Sequence, residues 1–186
     1  VLAAFAQHLP QHLPQCVAAH PIAGSDRSGA LAAQFGLYQD KKLIICPHET
    51  QNPEAEALVG RLWQAVGAQI FRMSAQEHDA VFAAVSHLPH ILAFAYVHQI
   101  LDHADGATYL DFAATGFRDF TRIASSHPAI WTDICFANRD SLLKLLEGQQ
   151  RQLEKIASLL RNGDSDGLYR YFAEAKQTRD DWLERQ

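Results

Sequence analysis

The chain has 186 residues, 48% hydrophobic and 20% charged, which is enough for one domain or two small ones with a real core. Its 16 Lys and Arg against 21 Asp and Glu leave a formal net charge of −5 without a basic stripe, which argues against a nucleic-acid partner. Three scattered cysteines, Cys16, Cys46 and Cys135, fit a reduced, cytoplasmic protein; no signal peptide is expected, and the best apolar run, "ILAFAYV" between His90 and His98, is too short to span a bilayer.

The first seventy residues alternate helix and strand. Val1 to His8 reads as the tail of a helix, met in mid-pattern, and Cys16 to Ala19 as a short strand. "HPIAGSDRSG" follows, from His20 to Gly29. Pro21 fixes its own φ and holds the residue before it extended, so His20 is expected at a strand end, aimed at whatever lies beyond. Ser25 and Ser28 read as turn residues. Ser28 to Gln34 suggests a helix and "KKLIICP" a strand. Asn52 then caps a helix with Pro53 at its first position and Glu54 and Glu56 in its first turn, closed by Gly67. "AQIFRM" is a further strand. The alternation predicts part of a parallel sheet with covering helices.

From Ser74 the pattern is helical throughout. Ser74 and Glu77 form a capping box, and the helix they open runs to about Asp102, with Pro89 expected to kink it and free a carbonyl near Val85. Asp105-Gly106 ends it. A short helix from Tyr109 to Ala114 breaks at Gly116, a second spans Arg118 to Ala124, and a third runs from Pro128 through Phe136. Asn138 is expected to cap a long leucine-striped helix that stops at Asn162-Gly163. A last helix carries Leu168, Tyr169, Phe172 and Trp182. So rich a stripe needs a bundle or a subunit interface to cover it.

Two clusters carry chemistry. In "EHDAVFAAVSHLPH", His87 and His90 share a helix face at the proline kink, with His78 upstream. They read either as polar groups filling the space that the proline opens or as metal ligands, although no carboxylate stands beside the pair as in H-E-x-x-H. In "GFRDFTRIASSHP", Arg118 and Arg122 lie one turn apart among Phe117, Phe120 and Ile123. Two guanidiniums on one face suit bidentate recognition of carboxylates.

These pieces, "HPIAGSDRSG", "EHDAVFAAVSHLPHILAFA" and "GFRDFTRIASSHPAIWTDICFANR", stand in the order and spacing of the prephenate/arogenate dehydrogenases of tyrosine biosynthesis, and the chain resembles that family over essentially its whole length. The resemblance implies an α/β remnant of a Rossmann-type nucleotide-binding domain over 1–72. An all-α helical dimerisation and substrate-binding domain would follow over 73–186, and the whole would be mostly α. It also implies oxidative decarboxylation of a cyclohexadienol, prephenate or arogenate, with hydride transfer to NAD or NADP. A homodimer is expected, with tyrosine as a candidate inhibitor.

Residue by residue, the resemblance makes His20 the catalytic base and Arg122 the holder of the side-chain carboxylate. It places His90 and His87 at the substrate pocket, Asp26 at the mouth of the site, and Arg118 and Trp131 lining or supporting it. The family's G-x-G-x-x-G cradle is absent from this sequence, so the chain corresponds to the later part of the nucleotide domain plus the helical domain and is expected to be inactive alone. Two other readings stand beside this one: a dimerisation module that binds an aromatic acid without catalysis, and a metal-binding helical protein using His78, His87 and His90.

Overall fold

The computed structural model describes residues 2–24 and 30–185. Asp26, Ser25 and Ser28 fall outside the described residues. The chain divides into two compact units, Val1–Leu142 and Leu143–Gln186.

In the first unit, helix α1 (Leu2–His8) and a 3-10 turn (Pro10–Gln15) lead into strand β1 (Ala18–Pro21). Strand β2 (Lys42–Cys46), helix α2 (Pro53–Ala65) and strand β3 (Gln69–Arg72) follow. The sheet order is β1-β2-β3, with β2 and β3 parallel, as expected of a strand–helix–strand unit. The other pairing departs from the parallel expectation: β1 runs antiparallel to β2, with His20 opposite Ile44 and Pro21 opposite Leu43. No crossover helix separates them among the described residues, only a 3-10 turn at Ala30–Ala32 where a helix from Ser28 was expected.

The strand also sits two residues later than predicted, so His20 and Pro21 belong to it. Proline is tolerated there because β1 is an edge strand. The Ile22 N–H continues the pairing to the Lys42 carbonyl (2.8 Å).

Alternation along the strands sorts two small cores. Leu43 and Ile45, fully buried, pack with Ala68 against Val17, Trp63 and Ile70, on the side covered by α2. Ile44 and Cys46 face the other way and pack with Phe82, Ala18 and Ile22. His20 shares this second face, two residues on from Ala18. Helix α2 begins as predicted, with the Asn52 side chain accepting from the Glu54 N–H (2.9 Å), and Gly67 takes the left-handed conformation (φ 86°) that lets the chain turn back into β3.

Helix α3 (Ala75–Phe82) opens at the predicted cap, where Ser74 Oγ accepts from the Glu77 N–H (3.1 Å). It passes without a break into a π-helical turn (Ala83–His87) and helix α4 (Leu88–Leu101). Pro89 brings no N–H, and the wider turn accommodates that loss in place of a sharp kink. The 27 residues Ala75–Leu101 thus form one helix long and apolar enough, by length and composition alone, to cross a membrane. This corrects the expectation of an apolar run too short to span a bilayer: "ILAFAYV" lies inside a longer stretch, 80–101, that carries no Asp, Glu, Lys or Arg.

Four further helical pieces complete the unit: α5 (Gly106–Asp111), α6 (Thr115–Thr121), a 3-10 turn (Arg122–Ser125) and α7 (Pro128–Ala137). Gly106 begins α5, and Gly116 lies inside α6 where a break was expected. Tyr96 of α4 meets Phe117 and Phe120 of α6 with ring centroids 5.7 and 5.6 Å apart.

Helix α8 (Arg139–Arg161) runs from the first unit into the second, and α9 (Ser165–Leu183) follows the turn at Gly163 (φ 63°). Within the second unit the Tyr171 hydroxyl donates to Gln152 (2.9 Å), and Lys155 lies over the Tyr171 ring. Leu153, Leu160, Tyr169 and Phe172 remain exposed.

Candidate active site

Three elements converge on a group of imidazoles: the end of β1, the helix from Ala75 to Leu101, and the α7 segment. His20 projects from β1 onto Phe82 (ring centroids 4.9 Å) and places Nδ1 2.8 Å from Nε2 of His78. His78 in turn has its Nδ1 2.9 Å from an Asp79 carboxylate oxygen. Burial lowers the His20 pKa from its ordinary value, and the neighbouring His78 lowers it further. Neutral imidazole is therefore the favoured form of His20 near neutral pH.

The π-helical turn positions the second pair. His87 lies at its end and His90 in the first turn of α4. His90 Nδ1 is 2.9 Å from the Ser86 carbonyl. A carbonyl only accepts, so Nδ1 carries the proton and Nε2 is left bare. The carbonyl served is that of Ser86, one residue on from the expected Val85. The His90 ring stacks on Trp131 of α7 with centroids 3.5 Å apart and planes 18° from parallel. Burial lowers the His90 pKa; its bond to Ser86 works the other way, and the Arg122 charge lowers it again.

Arg122 itself heads the 3-10 turn that packs against α4. Arg118 is exposed one turn earlier on α6 and makes no hydrogen bond or ring contact with these histidines among the described residues.

His87 links the two pairs. Burial lowers its pKa first; Asp79 opposes this, and His78, His20 and His90 add to it. One cluster therefore contains His20, His78, Asp79, His87, His90, Arg122 and Trp131.

Asn138, between α7 and α8, braces it from the far side. Its side-chain amide donates to the Asp79 backbone carbonyl (2.7 Å) and lies 3.4 Å from His87 Nδ1. Asn138 was expected only as a helix cap, and Asp79 was not singled out. Their signal in the sequence was slight: an acidic residue next to His78, and an asparagine between two helical patterns. The metal reading of His78, His87 and His90 gains no geometry, because the described residues contain no group of three or more His, Cys, Asp or Glu placed to hold an ion. Both ring nitrogens of His78 already have protein partners.

Within the first unit the edge strand of a small α/β layer delivers an imidazole to a helical array, and two family models match successive stretches of the chain. Residues 1–72 match the model described as the prephenate dehydrogenase nucleotide-binding domain, and residues 74–174 match the prephenate dehydrogenase dimerization domain. The second match covers more than half of the chain, and the chain belongs to the prephenate dehydrogenase family.

It is 40% identical to the prephenate dehydrogenase of Bacillus subtilis over 168 residues, which are 89% of this chain and 45% of that protein. It is 32% identical to the cyclohexadienyl dehydrogenase of Zymomonas mobilis over 181 residues, 96% of this chain and 61% of that protein. Among solved structures, the Aquifex aeolicus prephenate dehydrogenase in complex with hydroxyphenyl propionate and NAD+ aligns with a TM-score of 0.83 and 36% identity, over 89% of this chain and 58% of that one. The Synechocystis arogenate dehydrogenase aligns with a TM-score of 0.81 and 26% identity, over 96% and 66%. The chain spans about half the length of the curated relatives it matches.

Proposed function

We propose that this chain supplies the substrate-binding and proton-accepting part of a dehydrogenase that oxidatively decarboxylates prephenate or arogenate, with NAD or NADP as hydride acceptor. The observation that carries the reading is His20: an imidazole at a strand end, its pKa lowered, packed on Phe82 and His78 and facing a cluster that also contains Arg122. In this reaction a ring hydroxyl loses its proton as hydride leaves the carbon bearing it, and carbon dioxide departs as the ring becomes aromatic. Neutral His20 takes the hydroxyl proton. Arg122 holds the substrate's side-chain carboxylate by its planar fork. His90 and His87 line the pocket, Trp131 fixes the plane of His90, and Arg118 supports the rim.

G-x-G-x-x-G, the motif that cradles a dinucleotide pyrophosphate, does not occur in these 186 residues, and the proposal assigns roles here only toward substrate and proton. The division into 1–72 and 73–186, a homodimer formed through the helical part, and a cytoplasmic location with free Cys16, Cys46 and Cys135 belong to the same proposal.

The test is kinetic, in the longer enzyme. His20→Asn lowers kcat by about 10²–10⁴ with little change in KM, because a general base acts in the transition state. Arg122→Ala acts mainly on KM. A His20→Asn enzyme with intact turnover would refute the assignment.

A further inference from the structure

We infer that His78 and Asp79 are positioning residues for His20: together they fix its tautomer so that Nδ1 carries the proton and Nε2 is the bare, proton-accepting nitrogen. The inference rests on the reading of His20 as a base, and it assigns roles to two residues that this reading leaves without one.

The hydrogen-bond chain has a direction imposed by its end. The Asp79 carboxylate offers only acceptors, so His78 Nδ1, 2.9 Å away, must be the donor. With one N–H on the His78 ring, that proton is the one facing Asp79, and Nε2 is left as a lone pair. His20 Nδ1 lies 2.8 Å from that lone pair and must therefore donate to it, so His20 Nε2 is bare. Without such a partner the proton of a neutral histidine is free to sit on either nitrogen, and the Nε2–H form cannot act as a base through Nε2.

The rings are also locked in place. His20 and His78 meet edge to face at 5.1 Å, and both rest on Phe82, at 4.9 and 4.5 Å. The bond from Asn138 to the Asp79 carbonyl ties this first part of α3 to the α7–α8 junction. The titratable groups facing the pair are Asp79 on α3, His87 at the end of the π-helical turn and Cys46 on β2. His78 keeps the assignment distinct from a metal role, since both of its nitrogens are engaged.

The arrangement also says what happens when His20 gains a proton. The new N–H forms at Nε2, the Nδ1–H bond to His78 is retained, and no group has to turn.

The experiment is nitrogen NMR of this chain with 15N-labelled histidine at neutral pH, which reports the tautomer of each ring directly. The expected result is Nδ1–H for both His20 and His78. In Asp79→Ala, His78 is released, and the Nδ1–H to Nε2–H ratio of His20 falls by about tenfold, the loss of one oriented hydrogen bond. Asp79→Glu restores it. A His20 with its proton on Nε2 in the unaltered chain would overturn the inference without the need for any variant. So would an unchanged His20 ratio in an Asp79→Ala chain whose amide spectrum is otherwise native. Because the readout is spectroscopic, it separates from the base assignment: intact turnover in His20→Asn would sink that assignment and leave the tautomer result standing.

Discussion

Replacing Asn138 by alanine probes whether the cluster is braced from behind. The side-chain amide makes a 2.7 Å bond to the Asp79 carbonyl and a longer one, 3.4 Å, to His87 Nδ1. A neutral, exposed hydrogen bond of the first kind contributes about 1 kcal/mol net, and the Asp79 carbonyl keeps its helical donor, the Ala83 N–H, so a loss of about 1 kcal/mol is expected. For a unit the size of Val1–Leu142 this corresponds to a fall in Tm of roughly 2–5 °C. A second effect is electrostatic. Donation to a bare Nδ1 favours neutral His87, so removing the donor lets the lowered His87 pKa rise toward its ordinary 6.5. Urea unfolding measures the first quantity and a histidine proton titration by NMR the second. If the urea midpoint and the His87 titration are both unchanged, Asn138 braces nothing and the placement of the α7–α8 junction against α3 is wrong.

Two more outcomes can be checked on the same chain. His20, His87 and His90 all have pKa values lowered by folding, so the unfolded chain binds protons more readily and takes them up first as the pH drops below 6.5. Stability is therefore fully present above that value and declines as the pH falls through it; urea midpoints that rise between about pH 7.5 and about pH 5 would contradict this. Trp131→Leu removes the stacking partner of His90, costing about 0.5–1.5 kcal/mol, and admits water that lets the His90 pKa rise, whereas an unmoved His90 titration would mean that the stack does not shield it.

Much of the layout was legible because it depends on local chemistry. Ser74 and Asn52 cap the helices they were expected to cap, since an N-cap needs only a short polar side chain within reach of a free N–H two or three residues on. Pro89 announced a disturbed helix, but nothing in its immediate neighbours distinguishes a kink from a widened turn. The antiparallel direction of β1 leaves no local trace, because apolar alternation is the same in parallel and antiparallel strands. In the site, His20, His87, His90 and Arg122 stood out through their residue types and their family resemblance. The partnership of His20 with His78 is 58 residues long in sequence and comes only from laying α3 on the sheet face that carries Ile44, Cys46 and His20. Asp79 and Asn138 were hidden for the same reason.

The π-helical turn between α3 and α4 also sets the angular phase of everything beyond it. Each residue advances a helix by about 100°, so the widened turn rotates the half carrying His90 relative to the half carrying His78. A substitution within Ala83–His87 can leave that offset untouched, whereas deleting a single residue there would restore a regular helix and swing His90 away from Trp131 by about a quarter turn. The length of this segment, more than the identity of its small residues, keeps the two histidine pairs facing one space.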